Sequence, residues 1–371
     1  MAFPFFGRRA ERILGIDLGT SAMKMVELTR GSRTLELTNY GEAKTKEYLA
    51  TIKAALETPQ KSIQTPAPST PGPPAPEITE KQIGELLHEL LAEAKVKTRQ
   101  AVISVPVFAS FSTTLSFPAT MKEEEIFKAV PYEAKSHVPL PLAEVELDWV
   151  ALAPSPAATP QATREVLIVA VPKEMVEKYR RIAGQARVEL MAFEVETFSL
   201  ARSLGARETG AIVVDVGTST TSLTIVEQGS VRLSHSVEIA GGEFSRMVSQ
   251  GLRISLERAE ELKKKEGIID RTGPGVRNVL LPFVDRLVAE IERLLAIYER
   301  RSNRQIQKLI LSGGSSRLPG LKEYLGARLK RAAVAGEPFA ALTYPPVLKP
   351  IVPELNSMFA IAAGLAMREL T

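Results

Sequence analysis

The chain has 371 residues, 44% hydrophobic and 24% charged, with a net charge of +4, which predicts two or three globular domains. The near balance of charge and the single Trp argue against a nucleic-acid partner. The absence of Cys excludes disulfides, thiol catalysis and thiolate metal sites, and the scattered His88, His137 and His235 give no basis for an imidazole-held metal.

In chain order, the N-terminus places Phe3, Phe5 and Phe6 before Arg8 and Arg9, the reverse of a secretory signal. Residues 15–28 (GIDLGTSAMKMVEL) are echoed by residues 213–226 (VVDVGTSTTSLTIV): both hold Asp-x-Gly-Thr-Ser followed by an apolar strand. A strand–turn–strand unit used twice predicts two related half-molecules. The first lobe is expected over 1–116, with a Pro-rich surface linker or loop at 59–76. A helix follows, with Ile83, Leu86, Leu87, Leu90 and Leu91 on one face, then a strand over Ala101–Val105. Residues 101–121 are uncharged, but nine of them are Ser, Thr or Pro, so paired strands are expected there and not a membrane span.

An inserted α+β subdomain is expected over 117–190, with a helix near 123–136, a strand near 146–152, a Pro/Ala loop at 154–160, a strand at 166–171 and a helix at 173–186. A connecting helix should occupy 191–208. The second lobe is expected over 209–245 and 305–345. Between these parts, a helical subdomain at 246–304 carries a core stripe of Val284, Leu287, Val288, Ile291, Leu294, Leu295 and Tyr298. The last segment, 346–371, reads as a buried helix rich in small residues that returns to the first lobe.

Three motifs bear on chemistry. In Asp17-Leu18-Gly19-Thr20-Ser21 a strand ends in a carboxylate and a tight turn. The glycine lets backbone amides approach an anion, the hydroxyls add donors, and the Asp can hold a divalent cation through water. A single such turn is usually structural. Its second copy, Asp215 with Gly217, Thr218, Ser219 and Thr220, makes a clamp that can grip a polyphosphate from both sides. The segment 309–320 runs from an apolar strand into Gly313-Gly314-Ser315 and a helix start, where a flat ligand could lie against the backbone. It is also a plausible structural turn. Glu260 and Lys263, three apart on a charged helix, read either as a solvated ion pair or as ligand contacts. No P-loop, G-x-G-x-x-G, nucleophile elbow or H-E-x-x-H sequence occurs.

Two phosphate hairpins followed by a Gly-Gly turn resemble the actin, heat-shock chaperone and sugar kinase superfamily of ATPases. Within it the chain is similar to the PilM family, actin-like cytoplasmic proteins of the type IV pilus machine that are themselves similar to the division protein FtsA. The resemblance is carried by Phe5-Phe6 before Leu14–Ser21, by Tyr132–Leu142 with Leu147-Asp148-Trp149, and by Asn356–Ala366. The Pro-rich stretch 59–76 is longer than the family pattern.

The resemblance implies an α/β actin-like ATPase fold, duplicated ribonuclease H-like lobes with an FtsA/PilM-type inserted α+β subdomain. It implies ATP and Mg²⁺ as cofactors, with hydrolysis slow at most. Lys24 would reach the phosphates, Asp17 and Asp215 would orient the Mg²⁺ hydration shell, and Glu196 or Asp215 would position the attacking water. Gly19, Thr20, Ser21, Gly217, Thr218, Ser219 and Thr220 would form the phosphate hairpins. Glu260 and Lys263 would touch ribose and base, and Gly313, Gly314 and Ser315 would form the adenosine turn. The implied partner is the N-terminal cytoplasmic peptide of the bitopic membrane protein PilN, bound between the first lobe and the inserted subdomain. Other inner-membrane and motor proteins of the pilus would also be partners. The implied location is the cytoplasmic face of the inner membrane, with attachment only through the partner. An FtsA-like division or filament protein would carry a basic amphipathic tether at its extreme C-terminus, where this sequence reads Met367-Arg368-Glu369-Leu370-Thr371. A small-molecule kinase of the same superfamily would need a dedicated base near the cleft, and the sequence offers no clear candidate.

Overall fold

The structure, a computed structural model, describes residues 11–19, 21–44, 79–152, 163–205, 210–269 and 275–371. Thr20, Phe5-Phe6, the Pro-rich stretch 59–76 and the Pro/Ala loop 154–160 lie outside the described residues.

The first sheet is built on an antiparallel meander, β1 (Arg12–Leu18), β2 (Ala22–Arg30) and β3 (Leu35–Lys44). It continues in parallel from β1 through β4 (Gln100–Val105) to β8 (Glu189–Val195). The second sheet repeats this plan. Its meander is β9 (Ala211–Val216), β10 (Thr221–Glu227) and β11 (Ser230–Val237), and from β9 it continues in parallel through β12 (Lys308–Ser312) to β13 (Ala332–Ala335). Strand order and direction therefore match between lobes, as the echoed motif predicts. A short strand β14 (Leu342–Thr343) pairs with β3 at the edge of the first sheet, so the chain leaves the second lobe before residue 345.

β1 and β10 are buried almost throughout, as strands covered on both faces must be. On the first lobe, α1 (Glu80–Glu93) and α3 (Lys173–Gln185) cover one face, packing Ile83, Leu87, Leu90 and Leu91 with Met175, Val176, Tyr179 and Ile182. The other face receives the C-terminal helices α9 (Val352–Met358) and α10 (Ala360–Met367). The small residues of α10 have a steric reason. A Cβ at Gly15 on β1 would collide with the Ala362 carbonyl, and one at Gly364 with the Ser199 carbonyl on α4 (Glu196–Leu204). The α10 backbone is thus wedged between strand and connecting helix, with no room for a side chain at Gly15 or Gly364. In the second lobe, α5 (Gly241–Leu252), α6 (Leu256–Glu266) and α7 (Val276–Ser302) form the helical layer, and all seven residues of the expected α7 stripe are buried.

The third sheet, ordered β5 (Phe111–Pro118), β7 (Thr163–Pro172), β6 (Val145–Ala151), packs with α2 (Glu123–His137) around its own apolar cluster. Its limits differ from the expected 117–190. The sheet begins at Phe111, and the chain re-enters the first lobe after Pro172, where α3 joins α1 and β8 pairs with β4. Helical periodicity shows that residues 173–185 have an apolar face but not which core receives it. Likewise the expected connecting helix 191–208 starts as the end of β8 and is helical only over Glu196–Leu204. β4 and β5, expected to pair, belong to different sheets. Among the described residues no helix is long and apolar enough to cross a membrane.

Candidate functional site

The two echoed hairpins have the same local construction. A Cβ at Gly19 would stand 2.8 Å from the Ala22 carbonyl oxygen, and one at Gly217 would stand 2.8 Å from that of Thr220. Both turns therefore need glycine for close backbone approach. The Gly217 amide closes its turn by donating to the Thr220 carbonyl at 3.1 Å. Across the cleft the tips touch: the Ser21 and Thr218 hydroxyls are 2.8 Å apart.

Behind the tips lie the carboxylates. Asp17, 4% exposed, accepts a bond from the Ser104 hydroxyl at 2.9 Å, and that oxygen accepts from the Leu18 amide at 3.2 Å. Lys24 stands directly opposite Asp17 in the β1–β2 register, which puts both side chains on one face. Asp215 holds the corresponding place on β9, opposite Ser222 on β10 and Ser312 on β12. Glu196, in the first turn of α4, accepts from the Val107 amide at 3.4 Å and closes the back of the group.

Burial raises the pKa of all three acids, and neighbouring negative charge adds to the rise at Asp215 and Glu196. Burial pushes Asp215 up to about 6, against the Ser312 hydroxyl and the Lys24 ammonium, while the charge of Asp17 adds to the rise. Burial also raises Asp17, opposed by Lys24 and the Ser104 hydroxyl. Glu196 is raised well above the ordinary carboxylate range, first by burial and then by the charges of Asp17 and Asp215. Among the described residues Lys24 is the one cation that lowers all three, so the cluster there is short of positive charge. Mg²⁺ fits such a site: it keeps most of its water and takes one or two carboxylates together with phosphate oxygens. Among the described residues no three acids or imidazoles converge as a direct ligand set, and a water-mediated ion does not need one.

The Gly-Gly turn splits into two different glycines. Gly313 sits at φ +85°, and a Cβ there would collide with the backbone of Val216, so the fold itself requires it. Its amide donates to the Ser357 carbonyl at 2.9 Å. A Cβ on Gly314 would meet open space, so packing does not explain its lack of a side chain. Ser315 ties the turn to the second hairpin by donating from its hydroxyl to the Gly217 carbonyl at 3.2 Å.

A further pair was missed in the sequence. The Gly241 and Gly242 amides, at the start of α5, donate to the Gly217 carbonyl at 3.0 Å and the Thr218 carbonyl at 2.7 Å. A Cβ on Gly241 would run into the Ser315 hydroxyl. The signal available was adjacent glycines before a predicted helix, the same signal that drew attention to Gly313-Gly314.

Glu260 and Lys263 lie on α6 and are not a solvated pair. Lys263 is 6% exposed, and its ammonium donates to Glu260 Oε2 at 2.6 Å, Ser245 Oγ at 2.8 Å and the Gly241 carbonyl at 2.9 Å. Burial would raise Glu260, but its bonds to Lys263 and Ser245 hold it below the usual value. Its other oxygen lies 3.1 Å from Lys264 and keeps contact with solvent. A cavity of about 950 Å³ opens just beyond the Gly-Gly turn, lined by Ser316, Arg317, Leu318, Tyr324, Gly336 and Asn356. None of the three acids lines it.

Comparison with known proteins agrees with this architecture. The family model for the type IV pilus assembly protein PilM matches residues 77–370. The ethanolamine utilization protein EutJ of Escherichia coli (strain K12) is 33% identical over 111 residues, 30% of this chain and 36% of that protein; the chain thus spans little more than a third of that relative. Among solved structures, a PilM–PilN type IV pilus biogenesis complex superposes with a TM-score of 0.78 at 23% identity, covering 98% of this chain and 100% of the other. MreB5 of Spiroplasma citri bound to ADP superposes with a TM-score of 0.51 at 15% identity, covering 96% and 95%. At these identities the likeness is one of fold, and the fold is that of the actin-like ATPases, as the sequence led us to expect.

Proposed function

The chain belongs to the type IV pilus assembly protein PilM family, and from that premise we propose that it is an ATP-binding scaffold of the pilus machinery at the cytoplasmic face of the inner membrane. The observation that carries the nucleotide reading is the convergence of Asp17, Asp215, Glu196 and Lys24 behind two like hairpins whose tips meet at 2.8 Å. Hairpin amides and Lys24 would hold the phosphates, and Asp17 and Asp215 would orient the water shell of Mg²⁺. When bound, the ion would neutralise phosphate charge. Glu196, at the back of the acid group, would hold the attacking water. Glu260 would take a ribose hydroxyl, and the base would lie over Gly314 toward the cavity at Ser316–Leu318. That MreB5, of the same fold, was solved with ADP supports this reading.

The partner would be the N-terminal cytoplasmic peptide of a PilN-type membrane protein, bound beside the inserted sheet. Strands β4 and β7 both lie inside their sheets and offer no free edge. The edges of the inserted sheet are β5 and β6; β5 lies against β11, with the Ser112 and Ser234 hydroxyls 3.2 Å apart, and β6, which among the described residues pairs with β7 alone, is the edge we assign to strand addition. Next to it, Trp149 packs edge-to-face on Phe127 of α2, which is 64% exposed.

The test is calorimetric. Mg·ATP and a synthetic tail peptide are titrated into the wild type and Asp215→Ala. Nucleotide binding should fall on the order of 2 kcal/mol, the worth of a lost charge-assisted contact, while tail binding persists. Unchanged Mg·ATP affinity would remove the phosphate assignment. Equal loss of both ligands in a folded variant would show a single shared site.

A further inference from the structure

Lys263 is not free for the part its family resemblance implies. An ammonium has three protons, and here each is directed at a protein oxygen: Glu260 Oε2, Ser245 Oγ and the Gly241 carbonyl, at 2.6, 2.8 and 2.9 Å. The Ser245 hydroxyl in turn donates to Glu260, so the three side chains close on one another. With Lys263 6% exposed, no proton is left over for a sugar.

The third acceptor indicates the purpose. Gly241 opens α5, and its amide and that of Gly242 hold the carbonyls of Gly217 and Thr218 in the second hairpin. Gly241 is thus gripped from two sides, by the hairpin through its N–H and by Lys263 through its C=O. The absence of a side chain at Gly241 lets Ser315 pack onto the same residue and bond the same Gly217 carbonyl. Hairpin, Gly-Gly turn and the start of α5 meet at one residue, and Lys263 is the buried charge that anchors it.

We propose that Lys263 is a positioning residue: through the Gly241 carbonyl it holds the start of α5 against the second hairpin and so fixes the phosphate-binding turn, while contact with ribose falls to Glu260. The proposal rests on the nucleotide reading above but makes a structural claim that can be tested without ligand. Two measurements are made on the intact chain with Lys263→Met and Glu260→Gln. The first is binding of Mg·ATP and of Mg·tripolyphosphate, which has no sugar. Lys263→Met should weaken both by a similar factor, roughly tenfold, and Glu260→Gln should weaken ATP alone. Loss of ATP binding with tripolyphosphate unchanged in Lys263→Met would make Lys263 a direct ribose contact and overturn the proposal. The second is amide hydrogen exchange in the free protein. The Gly241 and Gly242 amides should exchange at least tenfold faster in Lys263→Met, with the amides of α7 unaffected. If the wild type takes up neither ligand, the nucleotide reading falls, and the exchange result still decides this one: unchanged protection at Gly241 and Gly242 overturns it. Should Lys263→Met not fold, the milder Lys263→Gln, which removes the buried charge from the Gly241 carbonyl, is read in its place by the same exchange of Gly241 and Gly242.

Discussion

Replacing Asp215 with Asn should stabilise the free protein at neutral pH while removing Mg-dependent nucleotide binding. Burial raises the Asp215 pKa from 3.8 to about 6. An acid whose pKa is higher folded than unfolded is protonated more readily in the native state between those values. Stability therefore falls as pH rises from about 4 to about 6 and stays at the lower level above that window. The shift of about two units corresponds to about 3 kcal/mol at pH 7.5, an upper bound because the cleft leaves Asp215 partly open to solvent. Asn keeps the size and cannot ionise. With about 2.1 cal/mol/K per residue over 371 residues, the unfolding entropy is about 0.8 kcal/mol/K, so the gain is about 4 °C in melting temperature. At pH 4.5 most of the penalty has gone from the wild type, leaving about 1 kcal/mol, and the two proteins should melt within roughly 1–2 °C. The assay is thermal unfolding at both pH values without Mg²⁺ or nucleotide. A difference that does not change with pH, or a variant less stable at pH 7.5, would refute the claim that an uncompensated buried charge sits at this position.

The two glycines of the Gly313-Gly314 turn should behave oppositely. Gly313→Ala puts a side chain at φ +85° against the Val216 backbone and should lower the melting temperature by several degrees or prevent folding, whereas Gly314→Ala meets open space, should melt like the wild type and should bind Mg·ATP less tightly. Melting curves and calorimetry on the two variants check this, and equal melting temperatures would dismiss it. Ser21→Ala removes the 2.8 Å bridge between hairpin tips. Exposed hydroxyl pairs are worth about 1 kcal/mol or less, so stability should hardly change, but small-angle scattering of the free protein should show a larger radius of gyration as the lobes part. Trp149 is the single tryptophan and stands on the edge strand β6. Its emission should shift when the tail peptide is added and stay constant on addition of Mg·ATP; the reverse pattern would move the peptide away from the inserted sheet.

The sequence by itself determined the duplication and the two turns that carry Asp17 and Asp215. Asp-x-Gly-Thr-Ser is local: the turn, its glycine and the carboxylate before it are set by a few adjacent residues, so both copies were legible, and the equal strand order of the two lobes followed from them. The α7 stripe was legible for the same reason, since its 3.6-residue period is written along one segment. What only the tertiary structure decided was pairing between distant parts. Periodicity gave residues 173–185 an apolar face but not the first-lobe core that receives it. Spacing put Glu260 and Lys263 on one face but could not show the Gly241 carbonyl arriving from another helix to take the third proton. The same holds for Glu196, an ordinary helical acid in the sequence, whose reluctance to ionise comes from burial beside Asp17 and Asp215, far from it along the chain. Local geometry is encoded where it is used, whereas burial and electrostatic environment belong to neighbours brought together only when the core closes.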